Sequence, residues 1–249
     1  MPAALETNAV QLLPADRTLN DLLWPYVTPY LIFVGIASLP ETILPVEMGQ
    51  ALKLAATAAA LLFFGKTYRF GAFKPIHAAI ALLGLPVALF CWIAPFYLIA
   101  ALGITDVMAA AGGKTVASFP FFLRLFNSVV LVAIFEELFV RVYVMGWLYQ
   151  AGPQCQEKGL LGSIVHTLDE YPGPLAALPL STFSVVGATL VFTAGHRAHE
   201  YLSAIVYFLF TTWLYKKSGS LWVCIIIHGL TNLAIALLAR YGGMGWLFS

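Results

Sequence analysis

The sequence predicts an all-α fold, a polytopic membrane helix bundle of about seven to eight transmembrane helices. Three observations carry that prediction. Of 249 residues, 61% are hydrophobic and only 10% are charged, whereas soluble domains carry roughly a quarter of charged residues. Mean hydropathy is +0.87. The apolar residues also gather in windows close to the roughly 17–25 residues that cross a hydrocarbon core, and the alternating pattern of a β-barrel does not recur.

In chain order the expected spans are Trp24–Leu39, Gly49–Phe64, His77–Leu102, Leu125–Tyr149, Phe183–His199, Tyr201–Tyr215 and Leu221–Ala239. The third carries Pro86 and Pro95, which predict a kink or conceal an eighth, shorter segment. The fourth is interrupted by charge at Glu136, Glu137 and Arg141. Only Gly195-His196-Arg197-Ala198-His199-Glu200 separates the fifth from the sixth. Between the fourth and fifth, Gln150 to Thr182 holds Gly152-Pro153, Pro172-Gly173-Pro174 and Pro179. That stretch reads as a long irregular loop, either a lid or a solvated connector.

Charge sets the orientation and excludes several functions. Lys66, Arg69 and Lys74 lie between spans two and three, and Lys216 and Lys217 between six and seven. Four crossings separate these groups, so the positive-inside rule puts both, and the N-terminus, in the cytoplasm. Glu41 and Glu47 then face outward, while Lys114, Arg124, Arg197 and Arg240 keep the bias modest. A net charge of +1 leaves no nucleic-acid footprint. The cysteines Cys91, Cys155 and Cys224 form neither a disulfide framework nor a CxxC knuckle. The first twenty residues, with Glu6, Asp16 and Arg17, lack the basic start and apolar core of a signal peptide.

Three polar clusters interrupt the apolar spans. In the first, Glu137 and Arg141 are four apart and share a helix face, so they can pair. Glu136 points about 100° away. One acid is then neutralised structurally while its neighbour faces a cavity, and an ionisable group at such depth is by default functional. The alternative is that both acids only hold the bundle together. The second cluster is Phe192-Thr193-Ala194-Gly195-His196, where the histidine is either catalytic or interfacial. In the third, His228 and Asn232 stack four apart, with Gly229 permitting close helix approach. Helix-to-helix hydrogen bonding is its structural alternative. At a rise of about 1.5 Å per residue, Glu136 and His196 each lie about 20 Å from the cytoplasmic end, with His228 and Asn232 at about 11 and 17 Å. The three clusters can therefore meet.

Glu-Glu-x-x-x-Arg, then Phe-x-x-x-His, then His-x-x-x-Asn, in that order on successive apolar segments, resembles the CAAX protease and bacteriocin-processing family (CPBP, or Abi), which includes the type II CAAX prenyl endopeptidases. The resemblance covers roughly residues 125–239, and Trp213-Leu214-Tyr215-Lys216-Lys217-Ser218-Gly219-Ser220-Leu221-Trp222 also looks like the family's lead-in to its last motif. Together with the hydropathy and charge read above, it divides the chain into four expected parts: a cytoplasmic segment 1–22, N-terminal transmembrane helices 23–120, a catalytic helical core 121–240 and a C-terminal tail 241–249. It further implies an intramembrane endopeptidase of glutamic type. Glu136 would activate water with help from His196, His228 and Asn232 would stabilise the oxyanion, and Glu137 and Arg141 would be the supporting pair.

The expected cofactor is none. The departure is the run Arg197-Ala198-His199-Glu200 after His196, which adds ligand-type groups. A zinc-dependent variant using His199, Glu200, Glu136 and His228 is the alternative, although His-x-x-His-Glu is not the His-Glu-x-x-His motif of zinc proteases. The expected partners are the lipid bilayer and a membrane protein or lipid-modified peptide as substrate, with no nucleic acid, in a prokaryotic plasma membrane. A non-catalytic scaffold or immunity protein of the same fold is a second function class. A proton-coupled transporter is a third, weakened by the absence of an internal repeat.

Overall fold

Apolar windows of this length have one way to satisfy their backbone in lipid, and the chain takes it. The computed structural model describes residues 19–104, 118–167 and 180–248. Among the described residues every regular element is helical. α1 (Leu19–Ala37), α2 (Val46–Phe63) and α3 (Pro75–Ala101) precede a continuous helical run over residues 118–166. That run comprises α4 (Ser118–Phe126), a π-helical stretch (Asn127–Val132), α5 (Ala133–Glu136), a second π-helical stretch (Glu137–Val144) and α6 (Met145–His166). α7 (Thr182–Ala194), a 3₁₀ turn (Ala198–Glu200), α8 (Tyr201–Ser218), α9 (Leu221–Tyr241) and a 3₁₀ turn (Gly245–Phe248) complete the chain.

Among the described residues three helices, α2, α3 and α9, are long and apolar enough to cross a membrane. The protein is thus a membrane protein. α3 runs unbroken through Pro86 and Pro95 over 27 residues, so no eighth segment is hidden there. α9 packs on α3, α8 and the first π-helical stretch, and α1 packs on α2 and on the second. At the end where α3 and α9 begin, Trp222 donates to the Gly71 carbonyl at 3.0 Å and its ring stacks on Phe70 at 5.2 Å. This brings the loop of Lys66, Arg69 and Lys74 beside the end of α8 with Lys216 and Lys217. At the opposite end of α3, Trp246 folds back onto Phe96 at 5.0 Å between ring centres.

Two expectations need correction. The segment expected as an irregular loop from Gln150 is helical as far as His166, while the prolines beyond Tyr171 lie outside the described residues. Gly159, at φ 70 and ψ 171, reverses the chain within it. Trp147 therefore reaches the Ile164 carbonyl at 3.0 Å and the Thr167 hydroxyl at 2.9 Å, pairings a straight helix would hold about 25–30 Å apart. The second correction concerns the fifth span. α7 has 13 residues, short of the roughly 20 that cross a membrane. Gly195 ends it and its N–H returns to the Phe192 carbonyl, so His196 sits in the turn after the helix and not within it.

Candidate active site

The charged cluster sits where the helical run is π-helical. π turns are rare and are found frequently at functional sites, and here one carries Glu137 and Arg141. Arg141 is fully buried, and each of its guanidinium nitrogens has a partner. Nε donates to Glu137, Nη1 to Thr212 Oγ1 at 2.8 Å and Nη2 to Thr211 Oγ1 at 3.0 Å. The guanidinium also lies over the Phe208 ring at 4.6 Å. A buried cation is tolerated on these terms, paired and hydrogen-bonded throughout.

The two adjacent glutamates differ in what they touch. Glu137 is 2% exposed and is held by both Arg141 and His228, whose Nδ1 lies 3.3 Å from its Oε1. Glu136 is 17% exposed, with Oε2 3.8 Å from His228 Nε2. That oxygen is buried and takes no hydrogen bond. One imidazole thus stands between the two carboxylates and presents a ring nitrogen to each. The divergence of the acids expected from the helical turn is closed by this single side chain of α9.

Hydrogen-bond roles follow from the chemistry. A carboxylate only accepts, so His228 Nδ1 carries the proton that faces Glu137. With Glu137 balanced by Arg141, the cluster is neutral when Glu136 and His228 hold one further proton between them. That is either a carboxylic acid beside a neutral imidazole or a carboxylate beside an imidazolium. Burial makes other charge states costly.

The remaining motif residues border this pair. His196 Nδ1 donates to the Phe192 carbonyl at 2.8 Å, leaving Nε2 as the lone-pair nitrogen of the neutral ring. Its ring rests on Phe192 at 4.7 Å and Trp92 at 5.4 Å. It lies within electrostatic reach of Glu136, with no hydrogen bond or ion pair joining the two among the described residues. Phe192 and Tyr207 in turn pack on His228 at 6.2 and 5.9 Å. Asn232 donates to the Ser128 carbonyl at 2.8 Å, the helix-to-helix bond that is the structural alternative for this motif. One amide N–H and its carbonyl oxygen stay available. Gly229 makes that approach possible, since a Cβ there would stand 2.5 Å from the Val129 carbonyl oxygen.

The zinc alternative does not find its ligands together. His199 packs against Phe96 at 6.2 Å, and Glu200 accepts from the Arg197 backbone N–H at 3.0 Å. Among the described residues no three histidine, cysteine, aspartate or glutamate side chains are placed to hold one metal ion. The residues that sequence reasoning missed are Thr211 and Thr212, which accept from Arg141, together with Phe208, Trp92 and Tyr207.

The arrangement contains a partly accessible acid, a histidine able to exchange a proton with it and a second histidine at reach. All six candidate residues fall within residues 118–234, the segment that matches the family described as type II CAAX prenyl endopeptidase Rce1-like. No match to a curated protein or to a solved structure accompanies it. Over residues 118–234 the chain is thus similar to the Rce1-like type II CAAX prenyl endopeptidases, the protease family that its three motifs resemble.

Proposed function

We propose that the protein is an intramembrane endopeptidase of glutamic type, which hydrolyses a peptide bond of a membrane protein or lipid-modified peptide. The observation that carries this reading is the inequality of the two acids. Glu137 is fully engaged by Arg141 and His228, whereas Glu136 keeps a buried oxygen without a hydrogen bond 3.8 Å from His228. A general base needs such an oxygen.

In the proposed reaction Glu136 takes a proton from water, and the water oxygen bonds to the scissile carbonyl carbon. The negative charge that develops on the carbonyl oxygen meets the imidazolium form of His228 and the free N–H of Asn232. A well-placed donor of this kind is worth about 10²–10³ in rate. The C–N bond then breaks, and the proton held by Glu136 passes to the departing amine. His196, through Nε2, helps to orient the water. Glu137 and Arg141 keep His228 in register.

The reading extends to topology. The two basic loops held together by Trp222 and Gly71 form the cytoplasmic face of a multi-pass protein of a prokaryotic plasma membrane, with the N-terminus on that side. The test compares membrane-protein termini in cells carrying the parent protein or Glu136→Gln. Processed termini that vanish with the variant are expected, and they name the substrate. Identical termini, with the variant inserted at parental level, would leave the scaffold reading in its place.

A further inference from the structure

One residue near Glu136 comes from outside the family segment. Tyr30 of α1 packs its ring on Phe139 at 4.9 Å and on Phe135 at 6.0 Å. These two phenylalanines flank Glu136 in the chain, so the phenol lies along the face that presents the acid. Its hydroxyl reaches across to α7: a Cβ built on Gly195 would come within 3.2 Å of the Tyr30 oxygen. Glu136 is also within electrostatic reach of the phenol. Tyr30 thus spans the distance between the helix that carries the acid and the turn that carries His196.

Gly195 itself sets no special backbone requirement, since its φ of −75 suits any L residue. Its missing side chain is where the phenol oxygen sits. His196 follows directly, and the bond from its ring to the Phe192 carbonyl ties the imidazole to the same turn. A shift of the turn moves the imidazole with it.

We propose that Tyr30 is a positioning residue of the hydrolytic centre: its hydroxyl, seated on Gly195, fixes the separation between the Glu136 face and the His196 turn. The idea rests on the glutamic reading given above. It makes α1 a working part of the site, so that residues 118–234 without it would hold the six motif residues in an unset geometry. Removing the hydroxyl alters the spacing of base and histidine but leaves the substrate's contacts in place. The effect therefore falls on kcat and not on KM.

The experiment is a double-mutant cycle on the full-length protein in detergent or liposomes, with Tyr30→Phe, Gly195→Ala and the double variant. The probe is a peptide spanning a membrane-protein terminus that is processed in cells carrying the parent protein and not in cells lacking it. Tyr30→Phe is expected to lower kcat about tenfold with KM within twofold. Gly195→Ala pushes a methyl against the hydroxyl and should lower kcat at least as far. In the Tyr30→Phe background the added methyl should cost little, so the effects are strongly non-additive, as for residues in contact. Parental kcat in Tyr30→Phe, or additive effects across the cycle, overturns the proposal while leaving Glu136 in its role. Should Tyr30→Phe fail to insert, Gly195→Ala decides alone: kcat within twofold of the parent overturns the proposal, and a tenfold loss at parental KM and melting temperature sustains it. An active Glu136→Gln enzyme instead defeats the glutamic reading itself.

Discussion

Two groups of helices use similar hydropathy in opposite ways. In α2 and α3 only 11% and 22% of the apolar window is buried, and Leu62, Phe63 and Leu83 are each 81% exposed. In α9 the buried share is 56%, and His228, Thr231 and Asn232 lie along it. α2 and α3 meet their surroundings with apolar side chains. α9 and the π-helical run turn theirs toward protein, and among the described residues they carry the buried Glu137, Arg141 and His228. The contrast teaches that hydropathy locates helices, whereas the polar exceptions within them mark the candidate site.

The sharpest way to break this contrast is Glu137→Gln. The variant leaves Arg141 buried without its counter-charge and His228 without its acceptor. Removing one partner of a buried pair costs about 3–5 kcal/mol. The unfolding midpoint in detergent should fall steeply, and activity with it. Glu136→Gln, one residue earlier, is expected to unfold like the parent, because its buried oxygen takes no hydrogen bond to lose. Equal midpoints for the two variants would remove the distinction between supporting and reacting acid.

A smaller effect comes from the contact that seats α9. In Gly229→Ala the new methyl would stand 2.5 Å from the Val129 carbonyl oxygen, so the helix must move away from the first π-helical stretch. Overpacking of this kind costs about 1–3 kcal/mol. The bond from Asn232 to Ser128 lies one turn further on and stretches with it. Chemical or thermal unfolding measures the loss, and hydrolysis should fall further than stability alone explains. A variant with parental stability and rate would show that the close approach does not set the site.

The three motifs were legible because local spacing and local chemistry coincide in them. Glu137 and Arg141 pair at four residues' distance, which a reader of the chain can count. The convergence of both acids on His228 was not legible, since it depends on how α9 docks and on a π turn that no residue pattern announces. Thr211 and Thr212 were silent for a different reason. A threonine in an apolar helix can return its hydroxyl to its own backbone, as Thr211 does to Tyr207 and Phe208, so nothing in the sequence marks it as an acceptor for Arg141. Glycine and proline misled between Gln150 and His166: Pro153 is tolerated within α6, and the reversal waits until Gly159.

The smallest expected effect tests the outer side of the contrast on a single helix. Leu83 and Gly84 are neighbours on α3. Leu83 is 81% exposed, whereas a Cβ at Gly84 would meet Ile227 at 3.0 Å and Leu214 at 3.1 Å. The boundary between outward and inward faces therefore passes between two consecutive residues. Leu83→Ala removes side-chain atoms that touch little protein and opens no cavity, so its unfolding free energy should stay within about 0.5 kcal/mol of the parent. A loss of several times that amount would mean that this face packs against protein after all. α3 would then belong with the inner helices, and the division between the two groups would fall.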